Sequence, residues 1–415
     1  MKPKSNFELI TFNITAGGNE YAIGLNQTLY IKYVEDIQSA TKRMEIQITD
    51  SETGICSLLR GMEQVYLEIA DDEENLIGGY YIIYDIQDRV TTSTTSKATL
   101  MLCTPDFINN AAIKLSKRFG EGEGKRIDQI VTQDILGGVL NTPVTIDPEN
   151  VEPTFNKYSF VSPFWCPFTV ISWLASKSIP VKGSGASSSA GYAFFENKFG
   201  YNFKSYDKFA TDEIVKTIIV GHEPKELESP DSSEESILSV DSVRVSSSVD
   251  VLKGLNIGSY SSNVMTVDLY DMNYKNIKFD INKYYDNVPL LNKGRKPEYF
   301  EKFKKDTSST RIMSKIVDTA LFTEGTHTAG LTKQLSQASL REKLFYNKFV
   351  DVEYIGKFDL TVGQVVELET FKGRSRDLDE ENSGKYVIAR LERTFYSGDD
   401  MMGTALTLVT DSPGA

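Results

Sequence analysis

The feature that most constrains this chain is a strict alternation of apolar and polar residues. Met44-Glu-Ile-Gln-Ile48 and Val65-Tyr-Leu-Glu-Ile69 keep a period of two. In a β-strand that period sends one set of side chains to a core and leaves the other on a polar face. Runs of this type, separated by turn residues, are read at 7–15, 28–34, 43–49, 64–69, 80–88 and 97–103, so the first hundred residues form a compact β-module. Similar runs return at 347–354, 365–369, 386–395 and 404–410, and a second β-module closes the chain.

Between them the period changes. After Pro105, apolar residues fall three and four apart over 107–115 and 127–136, which predicts two short amphipathic helices. A third helix, 167–178, carries Phe168, Val170, Ile171, Trp173 and Leu174 almost all round and ends before Pro180, so it is expected to be buried. A Gly/Ser loop at 183–189 precedes an aromatic hairpin, Tyr192-Ala-Phe-Phe195 and Tyr201-Asn-Phe203 around Gly200. Trp173, Phe194 and Phe195 are read as core residues. The polar segment 223–235 is a solvated insert, strands are read at 237–249, 258–270 and 274–281, and a helix is read at 329–344. The charged stretch 284–325 supports no assignment.

Composition narrows the function. The 415 residues suffice for two to four domains, and the excess of 22 Phe and 21 Tyr over 2 Trp favours strands and large interfaces over a helical bundle. Lys and Arg total 45 against 58 Asp and Glu, so the net charge of −13 disfavours tight nucleic-acid binding. Cys56, Cys103 and Cys166 stand far apart, with no C-x-x-C pair, and read as buried free thiols. No apolar leader or run of 18 apolar residues is visible, which points away from a signal peptide and a membrane-spanning helix.

Chemistry-bearing patterns are scarce. His222 and His327 stand alone, leaving little for a Ser-His-Asp triad or a histidine metal site. Gly120-Glu-Gly-Glu-Gly-Lys125 fails as a phosphate loop, because Phe119 occupies the first glycine position and Arg126 the magnesium-binding one. It reads as a polar turn between helices. Asp71-Asp-Glu-Glu74 and Asp377-Leu-Asp-Glu-Glu381 read as solvated hairpin tips, and the second lacks the glycine of an EF-hand loop. No catalytic, cofactor-binding or metal-ligating residue is singled out, and no cofactor is expected.

Three stretches carry a family resemblance. Pro167-Phe-Thr-Val-Ile-Ser-Trp-Leu-Ala-Ser-Lys-Ser-Ile-Pro180, followed by the aromatic ribbon 191–205, resembles the helix-then-hairpin segment of the baseplate central hub proteins of T-even-type contractile-tailed bacteriophages. The run from Leu252 to Leu269, with Phe279-Asp280, resembles the strand pair opening the second β-module of that family. Gly356-Lys-Phe-Asp-Leu-Thr-Val-Gly363-Gln-Val-Val is similar to a G-x-x-x-L-x-x-G-x-x-V turn of hub and tube-like barrels, with Gly363 supplying the turn and Leu360 packing beneath it.

The resemblance implies an α+β chain with two tail-tube-like antiparallel β-barrel or sandwich modules and a mixed helical middle. The first module would span 1–104, the middle (cup) domain 105–208 and 283–330, and the discontinuous second module 209–282 and 331–415. It further implies a homotrimer, a structural and non-enzymatic protein of the virion tail baseplate. Three chains would present six tube-like modules, with the tail tube or a tube initiator above, a spike or tail-lysozyme-type partner below, and wedge proteins around. DNA would pass through the lumen without specific binding or a membrane, and the acidic balance of the chain fits a wall that repels it. The alternatives are another tail-tube initiator or baseplate protein, a carboxylate-dependent cell-wall glycoside hydrolase, and a glycan-binding adhesin.

Overall fold

The computed structural model describes residues 7–181, 191–221, 237–247, 252, 256, 261–268, 272–280, 288–292, 312–317, 321–323, 331–355, 358–373, 377–398, 401–412 and 414. The chain is mixed α+β and mostly strands. The first β-module contains β1 (Phe7–Ala16), β2 (Asn19–Ala22), β3 (Thr28–Asp36), β4 (Arg43–Asp50), β5 (Gln64–Asp71), β6 (Leu76–Thr91) and β7 (Ser96–Cys103), with a short helix α1 (Ile55–Leu58) between β4 and β5. The period-two runs appear as strands at every expected place. Ile31, Tyr33, Met44, Ile46, Ile48, Val65, Leu67 and Ile69 fill the core from alternate positions.

The middle of the chain begins with α2 (Pro105–Ala112). Its short ribbons are β8 (Arg118–Phe119), β9 (Lys125–Arg126), β10 (Lys157–Tyr158) and β11 (Phe160–Val161), and the aromatic hairpin is β12 (Tyr192–Asn197) with β13 (Gly200–Ser205). Helix α3 (Ile127–Gln129) continues as a wider π-type stretch over Ile130–Leu140. Helix α4 (Pro167–Ala175) packs onto β12, and α5 (Tyr206–Thr211) leaves β13. The turn at 120–125 lies between β8 and β9, not directly between helices. Helix α4 is mostly buried, with Thr169 and Ser172 exposed. Trp173 is half-buried, packing against Phe160, Trp165 and Phe322, with the Lys177 ammonium 4.1 Å from its ring centroid.

Beyond the hairpin run β14 (Ile214–Val220), β15 (Ile237–Val240) and β16 (Val243–Ser247). A separate three-stranded sheet follows, β17 (Ser261–Asp268), β18 (Asn273–Asp280) and β19 (Ile312–Val317). The expected strand pair over 252–280 is therefore a hairpin, but it does not join the second module's sheet. Its third strand comes from 312–317, inside a stretch the sequence left unassigned. Helix α6 (Leu331–Phe345) leads into β20 (Lys348–Ile355), β21 (Val365–Glu369), β22 (Gly384–Tyr396) and β23 (Met401–Thr410). His222, His327, the 183–189 loop and the 223–235 insert lie outside the described residues.

The two β-modules repeat one another. Across the first the strand order is β3-β4-β7-β6-β5-β1-β2, and across the second it is β16-β20-β23-β22-β21-β14-β15, the same order by position in the chain. The five strands from β3 to β5, and their counterparts from β16 to β21, pair antiparallel throughout. They differ at one end, where β14 runs parallel to β21 but β1 runs antiparallel to β5. One irregularity coincides: β6 bulges between Ile83 and Asp85 against β7, and β22 between Ile388 and Arg390 against β23, while β6 bulges again between Gln87 and Val90. Both modules belong to one 14-stranded sheet and share a continuous hydrophobic core, while the middle has its own core around Phe119, Tyr158, Phe160, Ile171 and Phe203.

Arg341 of α6 ties the second module to the chain leaving the hairpin. It is fully buried, and its guanidinium donates to Asp207 Oδ1 and Asp411 Oδ2, each at 2.8 Å, and to the carbonyls of Tyr206 at 3.2 Å and Pro289 at 3.0 Å. A planar fork suits this divergent set of acceptors better than a lysine point charge. Arg341→Ala leaves two carboxylates in a low-dielectric site without their cation, so an expected loss of about 3–5 kcal/mol should appear as a lower denaturant midpoint. A midpoint equal to that of the wild type would show that the cluster contributes no net stability.

Candidate functional site: the seam between the modules

The sequence singled out no site residues, and the structure draws attention to the line where the modules meet. Strand β22 is long, and one of its edges serves two neighbours in succession. Its first half pairs with β21, from Leu368↔Gly384 to Val365↔Val387. Beyond the bulge, the same edge pairs with β3 of the first module, from Arg390↔Asp36 to Tyr396↔Tyr30. The sheet thus passes from one module to the other without a break. On its polar face Lys32 and Glu392 form an ion pair at 2.6 Å across the seam, both partly exposed and worth little by themselves.

Beneath the seam the charges are buried. Alternation along β3 puts Glu35 on the core face with Ile31 and Tyr33, where it is fully buried. One oxygen accepts from the Tyr33 hydroxyl at 2.6 Å, and the other from Thr361 Oγ1 at 2.5 Å and the Val362 amide at 3.0 Å. The loop 358–364 of the second module therefore docks on a carboxylate of the first. Asp71, at the β5–β6 turn, repeats the device: it accepts from the Phe358 amide at 2.8 Å as well as from its own turn at Glu73 and Asn75. Those amides hold its carboxyl below the usual range despite burial. The acidic run 71–74 is thus a hairpin tip whose first residue is a buried anchor. Arg393, also fully buried, donates to the Leu360 carbonyl at 2.6 Å, with its guanidinium 5.2 Å from the Phe358 ring centroid.

The aromatic hairpin of the middle domain reaches this seam with its tip. Phe195 packs under Gly363, where a Cβ would stand 2.5 Å from the ring. Gly363 also has φ +87°, so no side chain fits there. Asn197 donates to the Val362 carbonyl at 3.0 Å, and the Lys198 ammonium to the Phe358 carbonyl. On the other side, the Glu196 carboxylate accepts from the Lys42 amide at 3.3 Å and Thr104 Oγ1 at 3.4 Å. The Lys42 ammonium lies 3.4 Å from Glu196 Oε1, an ion-pair distance without hydrogen-bond alignment. Three consecutive polar residues thus join the middle domain to both modules.

Glu196 lines a recess of about 230 Å³ with Lys42, Gly78, Tyr81, Thr104 and Lys198. Burial pushes its carboxyl up to about 7, against the opposing pull of Lys42. A near-neutral buried carboxyl is a trait of a general acid. Here, however, its donors come from the chain itself and bridge separate parts of the fold, so the arrangement positions domains. Among the described residues, no three or more His, Cys, Asp or Glu side chains gather as a metal site. Cys56 and Cys103 are buried free thiols, and Cys166 is half-buried, with Lys114 Nζ 2.7 Å from its sulfur. Phe194 and Phe195 are core residues as expected. The 377–381 segment is a largely exposed turn between β21 and β22.

No family model matches the chain, and no curated protein is similar to it in sequence. Solved structures are similar in fold. A tail protein from Neisseria meningitidis MC58 superposes with a TM-score of 0.57 at 9% identity, covering 98% of this chain and 97% of its own. The 43 kDa tail protein of prophage MuSo2 from Shewanella oneidensis gives 0.52 at 11% identity, covering 97% and 100%. At such identities the likeness is one of fold, and it spans the whole chain.

Because the folded Glu196 carboxyl titrates near 7 and an unfolded one near 4.5, the native state holds a proton that the unfolded state has released. This group's contribution to stability is therefore full below about pH 4.5 and falls as pH rises to about 7, by up to about 3 kcal/mol. Unfolding midpoints measured across that window should decline less in Glu196→Gln than in the wild type. Parallel profiles for the two proteins would remove Glu196 from the account.

Proposed function

We propose that this chain is a structural hub of a phage-type tail baseplate, a homotrimer whose three copies present six β-modules in one ring. The observation that carries the reading is the internal duplication: two modules of one strand order, joined edge to edge through β22 and β3. A ring built from one-module chains has six-fold symmetry. Built from two-module chains, the same ring has three-fold symmetry, with alternating seams within and between chains. Such a component adapts a six-fold tube to a three-fold spike. The fold likeness to two tail proteins supports the reading, which also assigns a tail tube or tube initiator above, a spike below and wedge proteins around.

The middle domain with the separate β17–β19 sheet would form the cup. We propose the division read from sequence, with 261–280 moved from the second module to this region. The polar face of the seam would line the passage for DNA. It carries Lys32, Arg43 and Arg390 beside Asp36, Glu45 and Glu392, so the wall is balanced in sign at this point instead of uniformly acidic. Ion pairing of Glu392 with Lys32 and Arg390 leaves no cluster of free positive charge to hold a phosphate backbone. The role is structural and needs no catalytic group.

Light scattering and negative-stain class averages of the purified protein test this. A trimer with a central opening is expected. A compact monomer at all concentrations, with hydrolysis of cell-wall glycan, would instead favour the carboxylate-dependent hydrolase.

A further inference from the structure

Resting on the ring reading, we infer that the seam between copies is a β-strand addition: the free outer half of β6 in one copy takes β16 of the next, in the register that β22 and β3 use within the chain. The duplication transfers residue by residue up to the shared bulge, beyond which β6 holds one extra residue between Gln87 and Val90. Ile82 pairs with Gln64 and Cys103 as Val387 pairs with Val365 and Val409, and both strands bulge two residues later. At Ile83 the Met62 amide donates to the Ile83 carbonyl at 2.7 Å, and the Ile83 amide donates to Glu63 O at 3.0 Å. At Ile388 the Gly363 and Gln364 backbones do the same at 2.9 and 3.0 Å. Met62, at φ 73°, even adopts the left-handed conformation of Gly363.

Beyond the bulge the modules differ in one respect. Arg390–Tyr396 has β3 along its edge, whereas among the described residues no strand borders the equivalent edge of 85–91. Strand β16 is the counterpart of β3. Arg244 pairs with Asp351 as Lys32 pairs with Glu45, and among the described residues β16 borders only β20 while β3 borders both β4 and β22. Among the described residues each chain therefore leaves these two edges unpaired, one able to receive and one able to supply a strand. An uncovered edge is a template for pairing, and this one carries a second bulge between Gln87 and Val90, with Asp88 at φ 48°. Val90 is 55% and Val245 38% exposed, apolar residues of the kind a neighbouring strand covers. The half-edge carries Asp85 and Asp88 beside Arg89, whose guanidinium is turned back onto the Leu59 carbonyl, and β16 offers Arg244. Supplying and receiving edges sit on different modules, so copies join head to tail and the contacts continue until a ring closes.

Val90 pairs with Lys97 as Thr394 pairs with Gly403, once the extra residue of the second β6 bulge between Gln87 and Val90 is allowed for, so transfer of the Lys32↔Thr394 pair sets Arg244 of one copy opposite Val90 of the next. Directly opposed residues of antiparallel strands hold their Cβ atoms about 4.5–5.5 Å apart, within reach of a disulfide after slight adjustment. The test combines Val90→Cys with Arg244→Cys, oxidised mildly and run without reductant beside the two single variants. A control pair combines Val90→Cys with Tyr274→Cys on the separate sheet. Covalent dimer and trimer from the first pair, with none from the singles or the control, is the expected result. A trimer by light scattering with no cross-link from the pair would overturn this seam and leave the ring reading standing. A monomer with no cross-link would overturn both. Cross-linked products running past three copies would keep the seam and overturn the closed ring.

Discussion

Everything in this fold depends on one edge of β22 outlasting its first partner. β21 begins at Val365, opposite Val387, and the loop before it, 358–364, is folded back under the sheet by buried acceptors at Glu35 and Asp71. That leaves seven residues of β22 extending beyond β21 on this edge, and β3 takes them. A single sheet then spans two modules that would otherwise each end in an open edge. Closing this edge by hydrogen bonds also fixes the angle between the modules more tightly than side-chain packing alone, because a one-residue slip would turn Tyr33 and Arg393 to the wrong face.

The buried charges under the seam are costly by themselves. Glu35 and Arg393 lie fully inside, and replacing such groups with apolar residues often stabilises a protein. Glu35 binds a hydroxyl and an amide of the other module, and Arg393 holds the Leu360 carbonyl of the same docking loop. An apolar seam would be satisfied by many relative positions, whereas a carboxylate needing the Thr361 hydroxyl and Val362 amide is satisfied by one. The aromatic hairpin acts in the same way. Its Phe195 fits only beneath a glycine, and Asn197 reaches only the Val362 carbonyl, so the middle domain locks the seam it touches.

Much of the first module was legible from the sequence, because half-buried antiparallel strands write their two faces into a period of two. The second module's last four strands were legible for the same reason. What escaped was everything long-range. Nothing local in Val243–Ser247 or Leu76–Thr91 tells that one repeats β3 and the other β22, since the modules share strand order and bulges but little sequence. The buried charges did leave a signal: Glu35 shares the parity of Ile31, Tyr33 and Ile37, and Arg393 that of Leu391 and Phe395, so each interrupts a core-facing series. Charged residues on a core face are rarely buried unless paired, which marks them as docking points. Helix α4 is mostly buried, as its apolar run implies, with Thr169 and Ser172 making one exposed stripe and Trp173 half-buried beside it. The 252–280 pair was placed in the wrong sheet because a hairpin's own pattern cannot name its neighbours.

The bulge explains why the two modules can be alike in topology and yet play different parts. In both, an extra residue after a paired isoleucine turns the strand out of register with its inner neighbour and frees the outer half of its edge. In β22 that half is followed by Leu391, Arg393 and Phe395, whose large side chains need a partner module to cover them. In β6 the same stretch reads Ile86, Gln87, Asp88, Arg89 and Val90, far more polar and largely exposed. A seam formed once during folding of a chain can be apolar and permanent. One that must stay soluble until copies meet needs charge on its edge, and natural edge strands are protected from random pairing in this way. The difference in polarity between the two equivalent half-edges fits the proposed arrangement of one internal and one external seam.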